Sequence, residues 1–198
     1  IGAEGCYISI NGSTDVAESH VACIEYGNYY YGFTEIGHAL NKAVAGETIK
    51  LLRDVTITEK ITIDKSITLD GNGKTLSYTG SNRVIDVPAE SNGADVTIKN
   101  LTIDCKSDYC QRGVNYNTTG DLTLNNVIIK GKNVTYALNL PGSSIGADVS
   151  IINSSLTANI ALNIWGKDSK VIAENSNFTS VDSATHENYS AIALNSDG

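Results

Sequence analysis

DVTIKNLTI (residues 95–103) returns as DLTLNNVII (121–129) and DVSIINSSL (148–156), with a looser copy in DSKVIAENSNF (168–178). The first three share one pattern: Asp, an apolar residue, Ser or Thr, an apolar residue, any residue, then Asn. The asparagines are Asn100, Asn126, Asn153 and Asn175, spaced by 26, 27 and 22 residues. Repeats of this length identify a stacked architecture, in which each copy buries its apolar face against its neighbours.

Strand geometry fits the pattern. Side chains alternate faces along a strand. Val96 and Ile98 therefore point inward while Thr97 and Lys99 point out. A second alternation begins at Leu101 and Ile103, and it stays in phase only if the chain bends at Asn100. Asparagine tolerates left-handed backbone and bonds its own turn. A second series runs between these copies: VIDV, GVNY, ALNL, ALNI and ALNS, with Asp86, Asn115, Asn139, Asn163 and Asn195 at the polar place. No strongly helical period separates the strands, which disfavours a parallel sheet with helical crossovers. The fold class expected is all-β, a right-handed parallel β-helix. The corner asparagines (Asn100, Asn126, Asn153, Asn175) are expected to form a buried structural ladder. Asp86, Asn115, Asn139 and Asn163 are expected on the outer face. On that assignment, loss of the Asn126 amide is costly and loss of the Asn139 amide is nearly free.

Earlier coils are read in ETIKLL, VTIT, ITID and SITLDGNGKTL, with a turn at Asp70–Gly73. Before them, Phe33, Ile36, Leu40, Ala43 and Val44 recur at helical spacing. Thr34 is the expected N-cap, and Gly46 ends the helix. This amphipathic helix is expected to close the open end of the stack. CYISI and VACIEY read as a β-hairpin in front of it. The division is 1–33 for the hairpin, 34–46 for the capping helix and 47–198 for the coils. The chain starts at Ile1 without a signal peptide, and AIALNSDG breaks off within a repeat. It reads as a mature fragment with further coils after it.

Composition narrows the function. Of the 198 residues, 41% are hydrophobic and 18% charged, which suits a folded domain. The net charge of -8 disfavours nucleic acid. No apolar run is long enough for membrane insertion. Four cysteines form local pairs, Cys6 with Cys23 and Cys105 with Cys110, expected as disulfides of an oxidising compartment. The alternative is four reduced thiols. Sequons stand at Asn11, Asn117, Asn133, Asn153, Asn177 and Asn188.

The run VACIEYGNYYYGFTEIGHALNKAVAGETIKLLRDVTITEKITIDKSITLDGNGKTL (residues 21–76) resembles the N-terminal cap and first coils of bacterial surface proteins with pectate-lyase-like β-helices. Many such proteins are adhesin-like and come from gut bacteria. The resemblance implies a modular, secreted or wall-attached protein. It implies no single activity, because the fold carries lyases, hydrolases and non-catalytic binders.

The candidate chemistry is sparse. A lyase or glycosidase needs converging carboxylates with a cation or water. Arg53, Arg83, Arg112 and Asp86 do not make such a set in sequence. Asp95, Asp121 and Asp148 share one repeat position, as a calcium edge or, more simply, as solvated turn residues. His20, His38 and His186 lack metal-ligand spacing. Tyr29, Tyr30 and Tyr31 read as packing between hairpin and helix before they read as a sugar platform. No catalytic residue, metal or cofactor is expected. The surface that stands out is ALNIWG, where Trp165 joins Asn163, Asn139, Asn115 and Asp86. An exposed indole beside amides suits a sugar ring. The leading expectation is a non-catalytic, glycan- or host-surface-binding module of an adhesin-like protein. A polysaccharide lyase or glycoside hydrolase is the alternative, and a plain stalk the second. Oligomeric state is open.

Overall fold

The computed structural model describes residues 5–8, 19–27, 29–181 and 189–195. The N-terminal part is an antiparallel sheet of Gly5–Ile8 (β1), Ala22–Tyr26 (β2) and Tyr29–Phe33 (β3). β3 lies between the other two, so CYISI and VACIEY do not pair with each other as the sequence led us to expect. Tyr29–Phe33, whose three tyrosines were read only as an aromatic cluster, is the missing strand. It folds back on β2 through Gly27, whose φ of 60° suits a residue without Cβ. β2 also pairs antiparallel with the first coil strand, which welds this sheet to the stack.

Helix α1 spans Ile36–Lys42, shorter than 34–46. Phe33 belongs to β3, and Glu35 rather than Thr34 is the N-cap, without a side-chain cap bond. Ile36, Ala39, Leu40 and Ala43 are buried and cover the first coil, whereas Val44 is exposed.

The coils follow as a parallel β-solenoid of about 5 turns. They comprise Thr48–Leu51 (β4), Val55–Ile57 (β5) and Ile61–Thr62 (β6), then Ile67–Tyr78 (β7) and Arg83–Val87 (β8). Next come Val96–Cys105 (β9) and Cys110–Tyr116 (β10), followed by Leu122–Gly131 (β11) and Val134–Leu140 (β12). The last are Asp148–Ile152 (β13), Ser155–Ala158 (β14), Ile160–Ile164 (β15), Lys170–Glu174 (β16), Asn177–Ser180 (β17) and Ile192–Leu194 (β18). One sheet runs β4-β7-β9-β11-β13-β16 and bends around the corner. The opposite sheet runs β6-β8-β10-β12-β15-β18. Like residues stack in register. Leu69, Ile98, Leu124 and Ile151 form one buried row, and Leu76, Ile103, Ile129 and Leu156 another. Each row is a continuous apolar column, which a single coil could not build alone.

The corner asparagines adopt the expected backbone. Asn100, Asn126, Asn153 and Asn175 have φ of 51°, 57°, 50° and 50°. Their amides are not buried, however. Asn100 Nδ2 donates to Asp70 Oδ1 at 3.1 Å, and Asn126 Nδ2 to Asn100 Oδ1 at 3.0 Å. Beyond Asn126 the following serines take over. Ser154 Oγ accepts from Val127 N, and Ser176 Oγ accepts from Ser154 N. DGNG at 70–73 is another such corner, a register shift within β7 rather than a break between strands.

The expected disulfides are also corrected. Cys23, Cys105 and Cys110 are free, buried thiols. The strands of Cys6 and Cys23 lie on opposite sides of β3. That puts the two backbones roughly 10 Å apart, beyond bridging distance. Burial, with help from Glu25, pushes the Cys23 thiol up to about 12. The Cys105 thiol is raised by its hydrogen bond with Cys110 and by burial. The cysteines therefore give no argument for an oxidising compartment.

Candidate functional site

The sheet β6-β8-β10-β12-β15-β18 carries the second asparagine series, and here the inside–outside expectation reverses. Asp86, Asn115, Asn139 and Asn163 are buried, Asn139 to 2% exposure. They stack in exact register, Asp86 with Asn115, Asn115 with Asn139 and Asn139 with Asn163. Asn115 Nδ2 donates to Asp86 Oδ1 at 2.8 Å, and Asn139 Nδ2 to Asn115 Oδ1 at 2.9 Å. Asn163 Nδ2 donates to Asn139 Oδ1 at 2.7 Å, and Asn195 Nδ2 to Asn163 Oδ1 at 2.8 Å. The amides satisfy one another at the coil spacing, so burial leaves these groups paired. This is the structural ladder of the protein.

Asp86 terminates it. Its carboxylate also accepts from Lys60 Nζ at 2.6 Å and from Arg83 at 3.0 Å. Burial acts to raise its pKa. The hydrogen bonds from Lys60 and Asn115 and the charge of Arg83 outweigh burial and hold it below the usual carboxylate value.

Above this ladder lies a shallow cleft of about 330 Å³, lined by Arg112, Tyr136, Asn139, Pro141, Gly142, Asn163 and Trp165. Trp165, just past β15, is 47% exposed. Three of the expected binding residues, Trp165, Asn163 and Asn139, thus meet in one cleft. Asn115 and Asp86 are outside its lining, engaged in the ladder. Four lining residues were outside the expected binding set: Arg112, weighed only as a lyase arginine, and Tyr136, Pro141 and Gly142. Arg112 and Tyr136 are register partners on β10 and β12, with the guanidinium 6.0 Å from the Tyr136 ring centre. Each stands three residues before its ladder asparagine, and that shared offset was the available signal. Burial, and next the neighbouring Arg83, pull the Arg112 pKa down.

The remaining candidates are outside the lining of this cleft. Asp95 Oδ1 accepts from Asp121 N at 2.9 Å, joining one turn to the next. Tyr30 is buried, and Tyr31 packs on Phe33 at 4.9 Å with Lys42 above it. Arg53 Nε donates to the carbonyl of buried His20 at 2.6 Å. His38 lies beside Glu35 on the helix surface. Asn133 Nδ2 bonds the Asp108 carbonyl. His186, Asn11, Asn188 and the side chain of Cys6 lie outside the described residues. Among the described residues, no group of three or more His, Cys, Asp or Glu side chains could hold a metal ion.

A family model described as a pectate lyase-like adhesive domain matches residues 33–139, more than half of the chain. The chain belongs to this family. No match was found among curated proteins, and none among solved structures. The adhesive-domain match runs from the end of β3 through the ladder to Asn139. It includes Arg112 and Tyr136 and stops before Trp165. Membership in an adhesive family points to an extracellular or surface protein. No helix among the described residues is long and apolar enough to cross a membrane.

Proposed function

We propose that this chain is a non-catalytic β-helix module of a secreted or surface-attached adhesin-like protein, and that it binds glycans through the Trp165 cleft. One observation carries the reading. A half-exposed indole stands at a cleft whose floor is made of amides already fixed in a ladder. A rigid aromatic face and a pre-ordered polar floor suit the alternating apolar and hydroxyl faces of a sugar. Amides can bond hydroxyls but cannot exchange protons near neutral pH, so the cleft favours recognition over acid–base catalysis.

The test is a glycan array with wild-type protein and Trp165→Ala, beside assays for unsaturated products and new reducing ends on pectic and host polysaccharides. We expect binding that drops at least about tenfold with the tryptophan, without turnover. Turnover by wild type would overturn the non-catalytic reading. Silence in both assays would leave the chain a stalk.

A further inference from the structure

The outer row of β8, β10 and β12 carries more positive charge than it neutralises. Arg83 and Arg112 are register partners on adjacent coils, and Lys60 lies one coil below Arg83. These three cations face one carboxylate, Asp86, and Lys60 and Arg83 occupy it. Arg112 has no ion pair among the described residues. Its Nε is buried without a hydrogen-bond partner, and its guanidinium lies 6.0 Å from the Tyr136 ring centre. A partly desolvated guanidinium beside a second one is a locally costly arrangement, and an anion in the cleft would relieve it. Burial and Arg83 both act against the charge of Arg112, in line with this.

We infer that the cleft recognises one acidic sugar of a glycan, with Arg112 engaging its carboxylate while Trp165 stacks on the ring. The inference rests on the glycan-binding reading above and names its ligand class. A guanidinium offers paired donors that match the two oxygens of a carboxylate. A cleft of about 330 Å³ is at the small end of ligand sites, so it seats one sugar of a glycan rather than several at once. Sialic acids and hexuronic acids both supply this chemistry.

The experiment compares sialyllactose and a glucuronic acid-terminated oligosaccharide with lactose and a sulfated lactose, each titrated against wild type, Arg112→Gln and Arg112→Lys. Thermal unfolding of each variant confirms the fold. Wild type should prefer one or both carboxylated glycans over lactose by at least about tenfold, and the preference should weaken as salt rises. Arg112→Gln should abolish the preference, and Arg112→Lys should retain part of it. Which carboxylated glycan binds distinguishes the two sources. Equal affinity for lactose, binding confined to the sulfated glycan, or an undiminished preference in Arg112→Gln would overturn the inference while leaving glycan binding intact. Absence of binding to all four, together with an unresponsive array, would instead remove the glycan reading itself.

Discussion

The solenoid holds two rows of asparagine that use the residue for different reasons. At the corner, Asn100, Asn126, Asn153 and Asn175 are selected for backbone: each sits at positive φ, and the side chains are partly or fully solvated. In the opposite sheet, Asn115, Asn139 and Asn163 are selected for side chain. Their strands are ordinary, and their amides are buried and paired. A repeated residue in a stacked fold therefore marks a repeated constraint without saying whether main chain or side chain bears it.

The sharpest way to break this contrast is at Asn139. Its removal strands the Asn115 acceptor and the Asn163 donor in a buried site, each worth about 1–3 kcal/mol. Asn139→Ala should cost about 3 kcal/mol in chemical denaturation, and Asn139→Gly should be no better. A loss under about 1 kcal/mol would return this row to the surface.

Asp86→Asn should cost less, about 2 kcal/mol at neutral pH, because it weakens charged hydrogen bonds without leaving a void. The dependence on pH has a fixed sign. Asp86 has a depressed folded-state pKa, so its contribution is complete above the ordinary value of 3.8 and is lost as pH falls below that towards the folded value. The gap between wild type and Asp86→Asn should close on acidification. A gap that widens in acid would contradict the ion-paired carboxylate.

The corner gives the smallest effect. Asn126→Ala keeps a Cβ at φ 57° but removes the amide that favours this backbone and bonds Asn100, and should cost about 1 kcal/mol. Asn126→Gly accepts that backbone and should be within about 0.5 kcal/mol of wild type. Rescue by glycine at the corner but not in the ladder separates the two constraints. Equal behaviour at both sites would merge them.

The coils were legible because alternation with a break at asparagine has few physical solutions. The left-handed corner was legible for the same reason. Which row was buried was not, since both series interrupt apolar residues at similar intervals, and burial depends on what stacks above and below. Trp165 and its amides could be found by aligning the ALN copies of successive coils. Arg112 was harder to read, because it lies outside the repeated triplet and only its offset of three residues from Asn115, shared by Tyr136 and Asn139 one coil on, places it at the cleft. β3 was missed because three tyrosines in a row hide an alternation in which only Tyr30 is buried.

The ladder also has a direction. Every amide donates towards the N-terminal side, and the last acceptor is a carboxylate, which has no proton to pass on. A duplicated asparagine coil would slot into such a chain at any point, receiving one bond and giving one. A duplicated Asp86 coil would set two carboxylates against each other with only one Lys60 below. Growth by coil duplication is therefore tolerated on one side of Asp86 and blocked at it. A single acidic residue gives the amide ladder a fixed starting end inside the stack.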